Sequence, residues 1–591
     1  MRTLTVLPFL LLLPLLAEPA FADAPTIDSL ATRYLEGLFR AKPHLATFMG
    51  EHRYDGKLPD HSPAALKARE RELSALQKAL AAAATPTLDA DIDKQILSDA
   101  IALELLYLRE IRDWEWDPRL HDSFPYYDPR EIVAGRLSDI IHGDFASEDL
   151  RRKSVTEQMV ALPRYLAVET RALSTGKRHP AKIMLERAIT GNKGRIQFFD
   201  TEVKAFLDKD PKGEAARRRA VAALHTYQTF LETKLAKRAD GDWRLGAQLY
   251  AKKFPLALQT VLSTDEVTLR AERRFAAART SLFDVARKLH GQMWPKEAQP
   301  SASSDAATQK RTIERVKAEL SKDHPLPAAL VTAHAANLDN LRAFIVKHDL
   351  LALPAKETLV VEPMPLFKRG ATGAEYLAPG VLLKAPTWRS TYYVDPVDDT
   401  WPADKIESYL RGQNNYEVQL VAAHEAYPGH HTQFSYSRKD PNPLRAVLWN
   451  AAMVEGWAVY GTSLMVKLGW GERDNDRFRF FDLRGAMVVA TNSLIDIKLQ
   501  SGTMTDEEAV RFMVEEGFQE RAVAEKKLVR AKLDSTQLVQ YFLGLVEIED
   551  LERDHRAKVG DKFSQRAFNE ALIGHGSIAV KHLRRYLLDA R

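Results

Sequence analysis

A net charge of only +4, from 84 basic and 80 acidic side chains in 591 residues, excludes a nucleic-acid tract or a basic membrane-facing surface as the dominant feature of the chain. A content of 45% hydrophobic and 28% charged residues is that of a soluble globular protein, and at this length it permits a large core, expected in two lobes. No cysteine is present, which excludes disulfides, a lipidated cysteine anchor, a thiol nucleophile and cysteine-ligated zinc.

The chain opens with Met1 and Arg2, an apolar run from Leu4 to Leu16, and the small-residue site Ala20-Phe21-Ala22. This is the layout of a secretory signal peptide over residues 1–22, with cleavage after Ala22. The apolar run falls short of the roughly 20 residues that span a bilayer. No later stretch is long and apolar enough, so the mature chain is expected to be soluble, without an integral membrane segment, and periplasmic or secreted.

Helical periodicity follows. Ile27, Leu30, Ala31, Tyr34, Leu35, Leu38 and Phe39 share one stripe. Ser62-Pro63 reads as an N-cap with proline in the first turn, opening a helix that carries Leu66, Leu73, Leu76 and Leu80. Ile92, Ile96, Ala100, Leu103 and Tyr107 repeat the pattern, and similar stretches run through residues 216–236 and 269–289. From Trp294 to Thr308 the periodicity gives way to Pro, Ser and Ala, as in an exposed loop or a lobe connection. The expected division is a helical N-terminal lobe, residues 23–300, and a catalytic lobe, residues 301–591. Leu359-Val360-Val361, Val381-Leu382-Leu383 and Thr391-Tyr392-Tyr393-Val394 are β-prone runs bounded by Pro and Gly, which predict a small sheet. Helices resume from about Asn415. The fold class is therefore mainly α, with a small sheet beside a deep cleft.

The chemistry concentrates in VAAHEAYPGHHTQ, residues 421–433. A catalytic zinc takes neutral imidazoles and carboxylates and keeps one position open. The usual helical solution is H-E-x-x-H, with both histidines on one face. Here position 428 is Pro, and the motif fails as written. Over six residues of regular helix at ~100° each, His424 and His430 point apart. His431 returns to the face of His424 but about 10 Å along the axis. Pro428 removes a backbone N–H and clashes with the carbonyl of residue 424, and Gly429 permits unusual dihedrals. A bulge at Tyr427-Pro428-Gly429 is the distortion that brings His430 back beside His424. Glu455, thirty-one residues after His424, lies in the apolar run NAAMVEGWAVYG. A lone carboxylate there is costly to bury unless it is paired or bound to a metal.

HEAYPGHHTQ followed by EGWAVYG resembles the bacterial family catalogued as domain of unknown function 885, whose hallmark is H-E-x-x-P-G-H and then E-G-W-A. The resemblance extends upstream to Tyr392-Tyr393-Val394-Asp395-Pro396. Downstream, Arg530, Gln537, Tyr541 and Gly544 match R…Q-x-x-x-Y-x-x-G. It covers most of the mature chain, with its specific motifs between about Glu375 and Ser577. That family is similar to the zincin metallopeptidases, particularly helical oligopeptidases and carboxypeptidases with H-E-x-G-H and a later Glu. The resemblance thus implies a large zincin-like fold of the gluzincin or oligopeptidase kind. It also implies a zinc cofactor, and it favours His430 over His431 as ligand. One departure stands out: many members carry an Asp with a His four residues later, whereas here Asp496 is followed by Gln500.

The roles expected are these. His424, His430 and Glu455 hold Zn2+, and Glu425 is the general base for hydrolysis of a peptide substrate. Tyr541, then His575, is the donor for the oxyanion. Arg530 forks onto a substrate carboxylate, Gln537 follows from the family pattern, and the run containing Tyr393 pairs with an extended peptide. Two other classes stay open: a non-catalytic metal- or peptide-binding protein, and a zinc hydrolase acting on another amide or an ester. A pure metal-binding module has no need of Glu425.

Overall fold

The computed structural model describes residues 25–123, 130–354, 357–365, 369, 372–383, 388–440 and 442–589. The expected signal peptide, residues 1–22, lies outside the described residues. The fold is mainly helical, with a small three-stranded sheet and a two-residue antiparallel pair, His121–Asp122 against Arg130–Glu131.

The first predicted stripe is α1 (Ile27–Ala41), whose apolar positions from Ile27 to Phe39 are buried and whose N-terminus is capped by Thr26. Ser62 caps α2 (Pro63–Ala82), with Pro63 in its first turn and Leu73, Leu76 and Leu80 inward. Thr87 caps α3 (Leu88–Leu106). Then come α4 (Glu148–Thr175), α5 (Lys182–Phe198), α6 (Pro211–Thr233), α7 (Ala247–Leu258), α8 (Thr264–Met293) and α9 (Ala306–Leu320). A full capping box, Ser263 with Glu266, starts α8.

The expected division at residue 300 is not where the core divides. Apolar side chains of α1 to α3, of α7 to α9 and of the C-terminal helices through Leu583 form one continuous core. A second core, from Leu120 to Leu235, belongs mainly to α4, α5 and α6. The stretch after Trp294 is an exposed loop that ends at Asp305, the cap of α9, and α8 and α9 pack on each other. Its Pro- and Ser-rich composition serves a helix connection as well as a linker between lobes.

The sheet comprises β1 (Glu357–Pro363), β2 (Ala374–Leu377) and β3 (Trp388–Val394) in the order β1-β3-β2. β1 runs parallel to β3, and β2 runs antiparallel to it. Two of the three β-prone runs are strands. The third, Val381 to Leu383, is a turn after Pro379-Gly380, tied by Leu382 N–H to the Met49 carbonyl at 2.8 Å.

Beyond the sheet lie α10 (Asn415–Glu425), α11 (His430–Ser437), α12 (Ala451–Lys467), α13 (Asn475–Ser501), α14 (Arg521–Leu533) and α15 (Gln540–Val559). The crossing of α12 and α15 is unusually close. A Cβ at Gly456 would stand 2.3 Å from the Gly544 carbonyl carbon, and one at Gly544 would stand 1.8 Å from the Ala452 oxygen. Only glycines let these backbones touch. Among the described residues, no helix is long and apolar enough to cross a membrane.

Candidate metal centre

α10 is capped by Asn414, whose side chain accepts from Tyr416 and Glu417 N–H, and its buried face is Tyr416, Val418, Ala422 and Ala423. The helix ends at Glu425. Ala426 leaves helical dihedrals, the Tyr427–Pro428 peptide bond is cis, and α11 starts afresh at His430. The expected bulge is therefore a complete break between two helices. Gly429 sits against the end of α10, where a Cβ would lie 1.7 Å from the His424 oxygen, and its N–H donates to Ala423 O at 3.0 Å. The Trp457 indole donates to the Pro428 carbonyl at 3.0 Å, which fastens the break to α12.

The break brings the His424 and His430 rings to 4.7 Å between centroids. Glu455, on α12, reaches both: its Oε2 is 3.4 Å from His424 Nε2 and 3.6 Å from His430 Nε2. One ligand atom from each residue falls within 4.8 Å of the others, a spacing that could hold a metal ion. Two imidazoles and one carboxylate match the donor set of a catalytic zinc. Asn450 caps α12 by accepting from Met453 N–H, and its own N–H donates to Ser577 O at 2.7 Å. Burial opposes the charged form of Glu455, yet the two imidazoles hold its carboxyl well below the usual range.

His431 faces elsewhere. It is fully buried, packs edge-on against Tyr427 at 5.2 Å and against Tyr376 at 5.8 Å, and takes no part in the triad. Burial lowers its pKa to about 4.

His424, His430, Glu455 and Glu425 all line a cavity of about 640 Å³. Tyr376 N–H, on β2, donates to Glu425 Oε2 at 2.9 Å. Burial pushes the Glu425 carboxyl up to about 7; His424 opposes this, while Glu455 and Glu375 add to it. Tyr541, Arg530 and Gln537 share the cavity wall. The Arg530 guanidinium donates to the Tyr541 hydroxyl at 3.4 Å, and burial together with Glu455 raises the phenol's pKa. Gln537 is 2% exposed, and neither atom of its side-chain amide has a partner among the described residues.

Two expected residues do not belong to this wall. His575 is stacked on Tyr586 at 4.0 Å and does not line the cavity. Its loop contributes indirectly, through Ser577 O and the cap of α12. Tyr393 lies in β3, the central strand, already paired with Glu362 on one side and Glu375 on the other. A central strand has no edge to offer a peptide. The edge at the cavity is β2, all four of whose residues line it. Sequence reasoning missed β2 because its four residues, Ala374 to Leu377, carry too little pattern, and it missed the cavity cations Arg119 and Arg187 because they come from the N-terminal half.

Asp496 and Gln500 support the wall from behind. Asp496 accepts from Tyr250 OH, Thr536 N–H and Val539 N–H, and Gln500 donates to the Ala531 and Asp534 carbonyls. Together they hold the turn between α14 and α15 that carries Gln537. A neutral histidine at 500 would have one ring N–H where the amide nitrogen donates twice, while Gln500 Oε1 also accepts from Leu245 N–H.

Residues 43–587 match the model of a family described as "Bacterial protein of unknown function (DUF885)". No match was found among curated proteins. A solved structure from Shewanella oneidensis, described as a candidate lipoprotein of unknown function, is 26% identical, with a TM-score of 0.81 over 96% of this chain and 100% of that one. A second candidate lipoprotein, from Colwellia psychrerythraea, shares the fold at 17% identity, with a TM-score of 0.73 over 95% of this chain and 98% of that one.

Proposed function

The chain belongs to the DUF885 family, and from that premise we propose that it is an exported zinc-dependent peptidase of zincin-like kind, with the metal cavity as its substrate cleft. The observation that carries this reading is the convergence of His424, His430 and Glu455 on one point of a cavity wall, with Glu425 beside them but outside the ligand set. Export is supported by the signal-peptide layout and by two structural neighbours described as candidate lipoproteins.

His424, His430 and Glu455 would hold the metal. A zinc ion bound there would supply a Lewis acid for the scissile carbonyl and would acidify a water molecule. Glu425 accepts the water's proton and hands it to the leaving amine, a task suited to a carboxyl raised to about 7. The Tyr376 amide orients that carboxylate. Tyr541 donates to the oxyanion, and Arg530, beside it, binds a substrate carboxylate in two bonds. Gln537 offers a buried donor and acceptor to the substrate backbone. The outer edge of β2 takes an extended peptide as an added strand.

Metal analysis of the purified protein tests the reading. One zinc per chain, lost on chelation and regained on refilling, is the expected result. Failure to take up zinc at all overturns it.

A further inference from the structure

A second cavity, of about 440 Å³, lies between α1, α2, the end of α3, α4 and the segment 113–122. His121 lines both this cavity and the metal cavity. The chemistry of its wall is different. Seven carboxylates face three permanent cations.

Most of those carboxylates are matched. Glu104 chelates Arg69, Asp122 pairs with Lys42 at 2.5 Å, Glu169 with His61 at 2.9 Å, and Asp117 with Arg119 at 2.6 Å. Asp113 is not. It accepts from the Trp114 N–H at 3.1 Å, and no ion pair reaches it among the described residues. Burial, with Asp122 adding to it, pushes its carboxyl up to about 6. A positive charge beside it would restore the ionised form.

The same wall is aromatic. Trp114, Tyr107 and Tyr165 line it, and the His61 ring stands 6.4 Å from Trp114 and 6.2 Å from Tyr165. Tyr165 is 4% exposed, yet its hydroxyl meets no partner among the described residues. A buried hydroxyl without a partner is costly unless a ligand completes it. π-faces, an unmatched carboxylate and an unused acceptor are together what an organic cation requires.

We propose that this second cavity is a recognition site for an ammonium or guanidinium group, paired with Asp113 and enclosed by Trp114, Tyr107 and Tyr165. The wall shared at His121 makes the free amino terminus or a basic side chain of a peptide the favoured source. That link rests on the peptidase reading, whereas the site itself does not.

Calorimetry on the full chain carrying Glu425→Gln, which prevents turnover, tests this with three probes: agmatine, a basic pentapeptide, and the same peptide N-acetylated. Agmatine or the free peptide is expected to bind one per chain. Adding Asp113→Asn weakens that binding about tenfold, the scale of one cation contact, and Tyr165→Phe weakens it by less. Arg530→Ala leaves agmatine unaffected. If acetylation weakens the peptide as Asp113→Asn does, the cation is the peptide's amino terminus. If the peptide binds equally well acetylated and both forms lose affinity in Asp113→Asn, it is the basic side chain. If only agmatine binds, the site serves a free small cation. All three outcomes support the site. Should Asp113→Asn fail to fold by circular dichroism, Trp114→Leu takes its place with the same readout. No binding of any probe, or affinity unchanged by these substitutions, overturns the proposal. Absence of hydrolysis in the parent protein would leave the agmatine result standing, so the two readings fail separately.

Discussion

Two neighbouring carboxylates are given different work by where their chains run. Glu455 meets both imidazoles and stays ionised, while Glu425 meets a backbone amide and is raised to about 7. Glu425→Gln is accordingly expected to keep its zinc by metal analysis but lose hydrolysis by about a thousandfold; near-normal turnover would remove Glu425 from the mechanism. The neighbouring histidines should also separate cleanly. His430→Ala is expected to lose most of its metal, whereas His431→Leu, which replaces a buried ring whose two nitrogens have no partner among the described residues, should retain one zinc per chain. The reverse pattern would mean that the ligand is misassigned. These residues were legible because each is chemically conspicuous: clustered imidazoles, and a carboxylate in an apolar helix. His575 was conspicuous too, but its ring is taken by Tyr586, a contact that only the folded C-terminus creates.

Elements bring those residues together through a few close backbone approaches. Pro428-Gly429 ends one helix and starts another, and the smallest side chain is required where Gly429 meets His424 O. The Pro-Gly pair announces a distortion; the structure makes it a full break, whose Pro428 carbonyl is held by the Trp457 indole from another helix. The crossing of α12 and α15 sets the Glu455 helix against the Tyr541 helix at Gly456 and Gly544. Gly456→Ala forces them apart and is expected to lower stability by about 3 kcal/mol, as overpacking does, with metal affinity falling as well. Chemical denaturation followed by zinc titration checks both; an unchanged midpoint would contradict the close crossing. The helices of the N-terminal half were readable from their stripes and caps. The sheet was only partly so: β1 and β3 are β-branched and aromatic, whereas β2 earns its pairing from its place beside β3 and Glu425.

At the scale of the whole molecule, the main core joins α1 to α3 with helices near the C-terminus. Arg445 pairs with Asp93, and Lys581 with Asp99, across that junction. Periodicity reports which face of a helix is buried but not which distant helix buries it, so a composition change at Trp294 read as a boundary. A single proteolytic cut in the loop before Asp305 is therefore expected to leave two fragments that co-elute under native conditions and separate only in denaturant. Free separation of a folded fragment 23–300 would restore the two-lobe division.

On the proposed function, this cavity cuts peptides with a metal held by His424, His430 and Glu455. The most direct measurement is digestion of a defined peptide library, read by mass spectrometry, with the protein as purified, after chelation, and after refilling with zinc. Cleavage that disappears on chelation and returns with zinc is the predicted result. A fully zinc-loaded protein that leaves every peptide intact, or cleavage that persists unchanged without metal, would contradict it.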